Sequence, residues 1–140
     1  MGASGWHYFV PHDPDIGSAL ARLREDVFQR GAYYKPSKTK KVASIAAALR
    51  LAAEDGTHSV LDVSRVVETP LPPTPFGAVA PVSEAQLVAA FGSTRPDHAA
   101  VEAGALKLDA FLTRGCGVYV VVYSAAGAPA EIFFAGVTGD

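Results

Sequence analysis

His58 and Asp62, four residues apart in EDGTHSVLDV, are the side chains whose types first suggest proton transfer or metal binding. An imidazole titrates near neutral pH, and a carboxylate can orient it. Spacing decides whether they cooperate. On a strand, four residues span about 13 Å and forbid a direct hydrogen bond, whereas a helix would bring them to about 6 Å. The segment reads as a strand, so a local dyad is disfavoured. A structural role is the better expectation, with His58 bonded to a backbone carbonyl after the turn at Gly56-Thr57. Metal binding would need at least one further ligand, and no spacing in the chain points to one, so no metal is expected.

Glu131 interrupts an apolar run, beside Ile132, Phe133 and Phe134. A carboxylate held in a partly dry site has a raised pKa and serves as a general acid; the plainer and favoured expectation is that it faces solvent at the end of its strand. Trp6, His7 and Tyr8 combine aromatic faces with an imidazole, a set suited to stacking on a ligand. Here too the plain alternative is preferred, with Trp6 and Tyr8 packed on the sheet and His7 pointing outward. Cys116 stands between two glycines like a nucleophile in a tight turn. It follows a helix C-terminus, however, whose dipole opposes a thiolate, so it is not taken as catalytic. His12 and His98, near helix starts, carry no weight by themselves. Phosphate-loop, dinucleotide-binding, nucleophile-elbow and zinc-helix motifs are all missing, which counts against nucleotide-dependent and zinc-hydrolase classes. No cofactor is expected.

Charge narrows the partners. Twelve Lys and Arg against fourteen Asp and Glu leave a formal charge of -2, so no global field draws in nucleic acid or an anionic membrane. The one local basic cluster, Lys35, Lys38, Lys40 and Lys41, follows Tyr33 and Tyr34. Such a loop is ordinarily solvated surface, and otherwise a contact for phosphate or an acidic partner. A single cysteine excludes an intramolecular disulfide and fits a reducing cytoplasm. No stretch approaches the roughly 18 apolar residues of a membrane span, and no basic flank precedes an apolar run, so a soluble, unexported protein is expected. Gly2 does not open a myristoylation motif, because Trp6 stands where Ser or Thr is needed.

These residues must be positioned by a chain of 140 residues, 49% hydrophobic and 19% charged, a size and balance that suit one globular domain. Trp6 to Val10 reads as a strand ended by Pro11. Asp13 as N-cap and Pro14 at the first position open a helix carried by Ile16, Leu20, Leu23 and Val27 to Gly31. Residues 32 to 43 read as a Lys-rich loop, after which Ser44 caps an Ala-rich helix reaching Gly56. Thr57 to Val67 reads as a strand with Leu61, Val63 and Val67 on one face and His58, Asp62 and Ser64 on the other. The segment ETPLPPTPFGAVAP holds five of the ten prolines and reads as a rigid loop with an edge strand at Phe76 to Ala80.

Ser83 and Gln86 form a capping box, with Val82 and Leu87 as its hydrophobic staple, for a third helix ending at Gly92. Ser93 or Thr94 caps a fourth, with Val101, Ala105, Leu108 and Leu112 as its stripe. The end of the chain reads as a hairpin, and its first strand, Val118 to Tyr123, is apolar on both alternate faces, as a covered central strand requires. The order of elements lacks regular strand-helix alternation. The expected fold is therefore α+β, a single domain with a mostly antiparallel sheet, about four helices, and the C-terminal β-hairpin in the core.

Over nearly its whole length the chain resembles an uncharacterised family of small proteins found in actinobacteria and related bacteria. The resemblance rests on GWHYFVP, EDGTHSVLDV, FGAVAPV and VYVVVYSAAGAPAEIFFAGVTGD. It implies no catalytic residue, cofactor or partner. From the residues themselves, the preferred function is a small cytoplasmic protein-binding module of an accessory, inhibitor or immunity-like kind, without its own catalysis. Its contact surface would be the loop Pro70 to Pro81 with Phe76, or the Lys-rich loop after Tyr34. The alternative is a small-molecule-binding domain or small enzyme that gathers His7 or His58 with Asp62 and Glu131 across the sheet. Self-association is left open, and nucleic acid is a distant third partner.

Overall fold

The computed structural model describes residues 5–35, 42–70 and 74–138. Its frame is the pair of apolar strands near the carboxy terminus, β4 (Gly117–Tyr123) and β5 (Pro129–Val137), which run antiparallel and turn through residues 124–128. β1 (Gly5–Pro11) pairs antiparallel with the other side of β5. On the far side of β4 lie β3 (Ala78–Pro81) and then the two-residue β2 (Arg65–Val66), both in parallel pairing, so the order is β1-β5-β4-β3-β2. The long ladders are antiparallel and the short ones parallel. The chain forms one α+β domain around a mixed sheet.

Both faces of the sheet are covered, which explains why β4 and β5 alternate apolar with apolar. One face carries α1 (Ile16–Arg30), α2 (Ile45–Leu51) and a 3-10 turn (Val60–Asp62), with Leu20, Leu23, Val27, Leu61, Ile132 and Phe134 in its core. The other carries α3 (Glu84–Phe91), α4 (His98–Gly104) and a 3-10 helix (Ala105–Phe111) over Val101, Leu108, Val118, Val120 and Phe133. Phe133 and Phe134, neighbours on β5, each fill a different core and are at most 1% exposed. Burying each contributes about 1.5–3 kcal/mol.

Helix ends follow local chemistry. The capping box at Ser83 and Gln86 is formed in both directions, and Gly31 and Gly92 close their helices in the left-handed region. Two caps differ from expectation. The α1 cap is Asp15, whose carboxylate accepts from Ser18 N–H, while Asp13 instead accepts the Asp15 N–H and pairs with Arg22 at 2.6 Å. The α4 cap is Asp97 rather than Ser93 or Thr94, its carboxylate accepting from Ala100 N–H, with Pro96 just ahead of it.

Two strand assignments also differ. Thr57 to Val67 is not one strand: the Asp62 carboxylate accepts both the N–H and the hydroxyl of Thr57 at 2.8 Å, drawing the segment into a turn. The Ser59 hydroxyl adds a bond from Leu61 N–H, so local side-chain bonds replace a ladder over most of this stretch. The expected edge strand at Phe76 to Ala80 lies inside the sheet as β3, between β4 and β2. Its proline falls at the last position, where the loss of an N–H costs least. Among the described residues, no helix is long and apolar enough to cross a membrane, and no three His, Cys, Asp or Glu side chains gather as a metal site.

Candidate binding groove

Alternation along β1 divides its aromatic and imidazole side chains between the two layers. Trp6 and Tyr8 turn toward the α1 core, where Trp6 is 6% exposed and the Tyr8 hydroxyl accepts from Val60 N–H at 3.4 Å. Burial pushes the Tyr8 phenol above its ordinary pKa. His7 and Phe9 turn the other way, onto Phe133, at ring separations of 5.9 and 4.8 Å.

His58 and Asp62 belong to the α1 layer. Asp62 bonds Thr57 through Oδ1 while its buried Oδ2 has no hydrogen-bond partner among the described residues, and His58, held at a positive φ of 53°, meets the Tyr34 ring edge to face. Arg24 donates to the Leu61 carbonyl at 3.0 Å; burial lowers its pKa, and the nearby Asp62 charge opposes that shift. Glu131 is in the opposite layer, on the face of β5 that bears Phe133. The sheet therefore separates His58 and Asp62 from His7 and Glu131. His7 itself sits opposite Ala135, four residues along β5 from Glu131, or about 13 Å.

What Glu131 does meet is His98, at 2.8 Å between Oε1 and Nδ1. The other ring nitrogen faces Glu102 at 3.9 Å, and Phe9 stacks on the imidazole with centroids 4.0 Å apart. Hydrogen bonding to Glu131 raises the His98 pKa, reinforced by the charges of Glu131, Glu102 and Asp97 against a smaller effect of burial. A carboxylate at each ring nitrogen favours the protonated form, so the imidazole serves as a bridge from α4 to β5 rather than as a base open to a substrate. The i,i+4 spacing of His98 and Glu102 was visible in the sequence; the contact with Glu131, 33 residues away, was not.

Next to this bridge a groove of about 550 Å³ opens between the β1-β5 face and the α4 layer. His7, Phe9 and Phe133 form one wall, and Glu102, Leu106 and Asp109 the other. Leu106 is 83% exposed, an apolar side chain left in water at the rim. Among the described residues that line the groove there is no Lys or Arg, so its charge is acidic.

No family model, curated protein or solved structure matches the chain significantly.

The remaining candidates lie elsewhere. Phe76 is 69% exposed, with its ring against Gly115. Tyr34 is exposed, while Tyr33 packs near Phe28 with the Lys35 ammonium 4.8 Å from its ring centre. Lys38 and Lys40 lie outside the described residues. Cys116 is buried and donates to the Thr74 carbonyl at 2.9 Å, so the thiol serves the join between the proline loop and β4.

Proposed function

We propose that this protein is a small cytoplasmic protein-binding module, an accessory, inhibitor or immunity-like factor without its own catalysis, and that its partner docks in the groove between β1 and α4. The observation that carries this reading is the groove itself, with the exposed Leu106 on its rim and aromatic rings on its floor. Apolar area left in water beside aromatic walls is what a partner's side chains can remove from solvent. Phe76 and Tyr34, favoured as contacts in the sequence, are exposed rings set against Gly115 and His58, outside this groove. The single buried thiol suits a reducing compartment.

The test is a photo-crosslinking side chain placed at Leu106, with a second placed at Ala125 on the hairpin tip as control, in the cells that encode the protein. A single defined adduct from position 106 and none from 125 is the expected result; equal labelling from both positions, or none, would overturn the reading. A small-molecule site in the same groove is the second reading, favoured by a volume within the roughly 300–1,000 Å³ of ligand pockets. A fragment screen that shifts Phe133 and His7 resonances, with no adduct from Leu106, would select it.

A further inference from the structure

Resting on the groove as the docking site, we infer that the partner supplies an extended segment that adds to the free edge of β1 as a sixth strand, with basic side chains facing α4. The hydrogen-bond pattern identifies the free groups. His12 N–H bonds the Ala130 carbonyl at 3.1 Å, and the register pairs Pro11 with Glu131. In an antiparallel ladder, both backbone groups of every second residue point at the same neighbour. Trp6, Tyr8 and Val10 therefore turn theirs toward β5, while the N–H and C=O of His7 and Phe9 point out from the sheet. Among the described residues no strand pairs with that edge.

Space and charge choose the occupant. An added strand lies about 4.8 Å from β1, with its side chains alternating between two faces. On one face those side chains enter the groove at Leu106. On the other they meet a smaller hollow of about 200 Å³ bordered by Val10, Ala19 and Leu23. Pro11, which has no N–H, ends the pairing edge and limits the register.

The α4 wall presents two exposed carboxylates, Asp109 and Glu102, the latter 3.9 Å from the His98 ring yet 73% open to solvent. α4 begins at the Phe9-His98 stack, and its 3-10 continuation leads to β4, which starts level with Trp6; this wall therefore runs alongside β1 in the opposite direction. From Glu102 to Asp109 the axial rise is about 13 Å, matching about four residues of a strand. Lys or Arg at positions i and i+4 of the segment, with an apolar residue between them over the groove, satisfies both carboxylates. A second copy of this chain fits worse, since it would bring like-charged walls together.

The probe is the peptide acetyl-Thr-Lys-Val-Leu-Val-Lys-Thr-amide, titrated into the isotope-labelled full chain at low salt, beside versions with Gln or Glu in place of both Lys. The expected result is saturable shifts at the His7 and Phe9 amides, at least fivefold weaker binding of the Gln peptide, none of the Glu peptide, and loss of the Lys preference in a Glu102→Gln, Asp109→Asn variant. Equal binding of all three peptides at the β1 edge would overturn the basic-segment inference while leaving the docking site standing. Absence of shifts at His7 and Phe9 with every peptide would overturn strand addition, as would concentration-dependent shifts there in the free chain, which assign the edge to a second copy. The Leu106 crosslink, read independently, tells whether the groove reading falls with it.

Discussion

Glu131 bonds the His98 imidazole, and the proton on that ring takes part in the bond, so the contact between α4 and β5 depends on pH. The unfolded imidazole titrates near 6.5, and the folded one higher. The folded protein thus holds the proton more tightly. The resulting stability is complete below the unfolded value and is lost as pH rises through the folded one. Comparing urea midpoints of wild type and His98→Gln between about pH 5 and 8.5, we expect the wild-type advantage to be greatest at the acid end and to fall, as pH rises through the folded pKa, to what the neutral ring's contacts with Glu131 and Phe9 supply. The ring proton resonance of His98 supplies that pKa. An advantage that grows with pH would contradict the assignment. At this scale Glu131 was legible in the sequence as a carboxylate in an apolar strand, yet its partner was not, because the bond joins two segments that only the fold brings together. Asp62 was legible as a polar residue among valines, but its role is local: it closes the turn at Thr57 instead of pairing with His58.

Among the elements, those specified by contacts within four residues were readable. The third helix is the clearest case, since Ser83 and Gln86 satisfy each other's backbone N–H groups without help from the rest of the chain. Ser83→Ala should lower stability by about 1 kcal/mol, with Ser83→Thr nearer to wild type, as read from urea unfolding. Unchanged unfolding would mean that the sheet alone orders this helix. The stretch Thr57 to Val67 was misread because its β-branched residues suit a strand. Val60, Leu61 and Val63 are indeed fully buried, but in a turn fastened by Asp62 and Ser59. Burial and strand pairing are separate demands, and composition reports chiefly the first. The inner place of β3 was also hidden, since a proline-rich approach says nothing of what pairs on either side.

For the molecule as a whole, two cores share one sheet, and β4 and β5 belong to both. Amides of Val120, Val122, Ile132 and Phe134 should therefore exchange only through global opening, while those at residues 125–127 exchange early. If exchange in β4 and β5 matched that of the hairpin tip, the two-core architecture would be wrong. By itself, the sequence determined the fold class, the presence of the four helices and the buried carboxy-terminal hairpin, because caps, periodicity and turn residues act over short distances. Only the tertiary structure decided the strand order, the layer to which each titratable group belongs, the pairing of His98 with Glu131, and the open edge of β1 beside an acidic groove. Each of these depends on which distant segments meet. A strand's pattern shows that its faces are covered, while the neighbour that covers them, or fails to, is set by the packing of the whole chain.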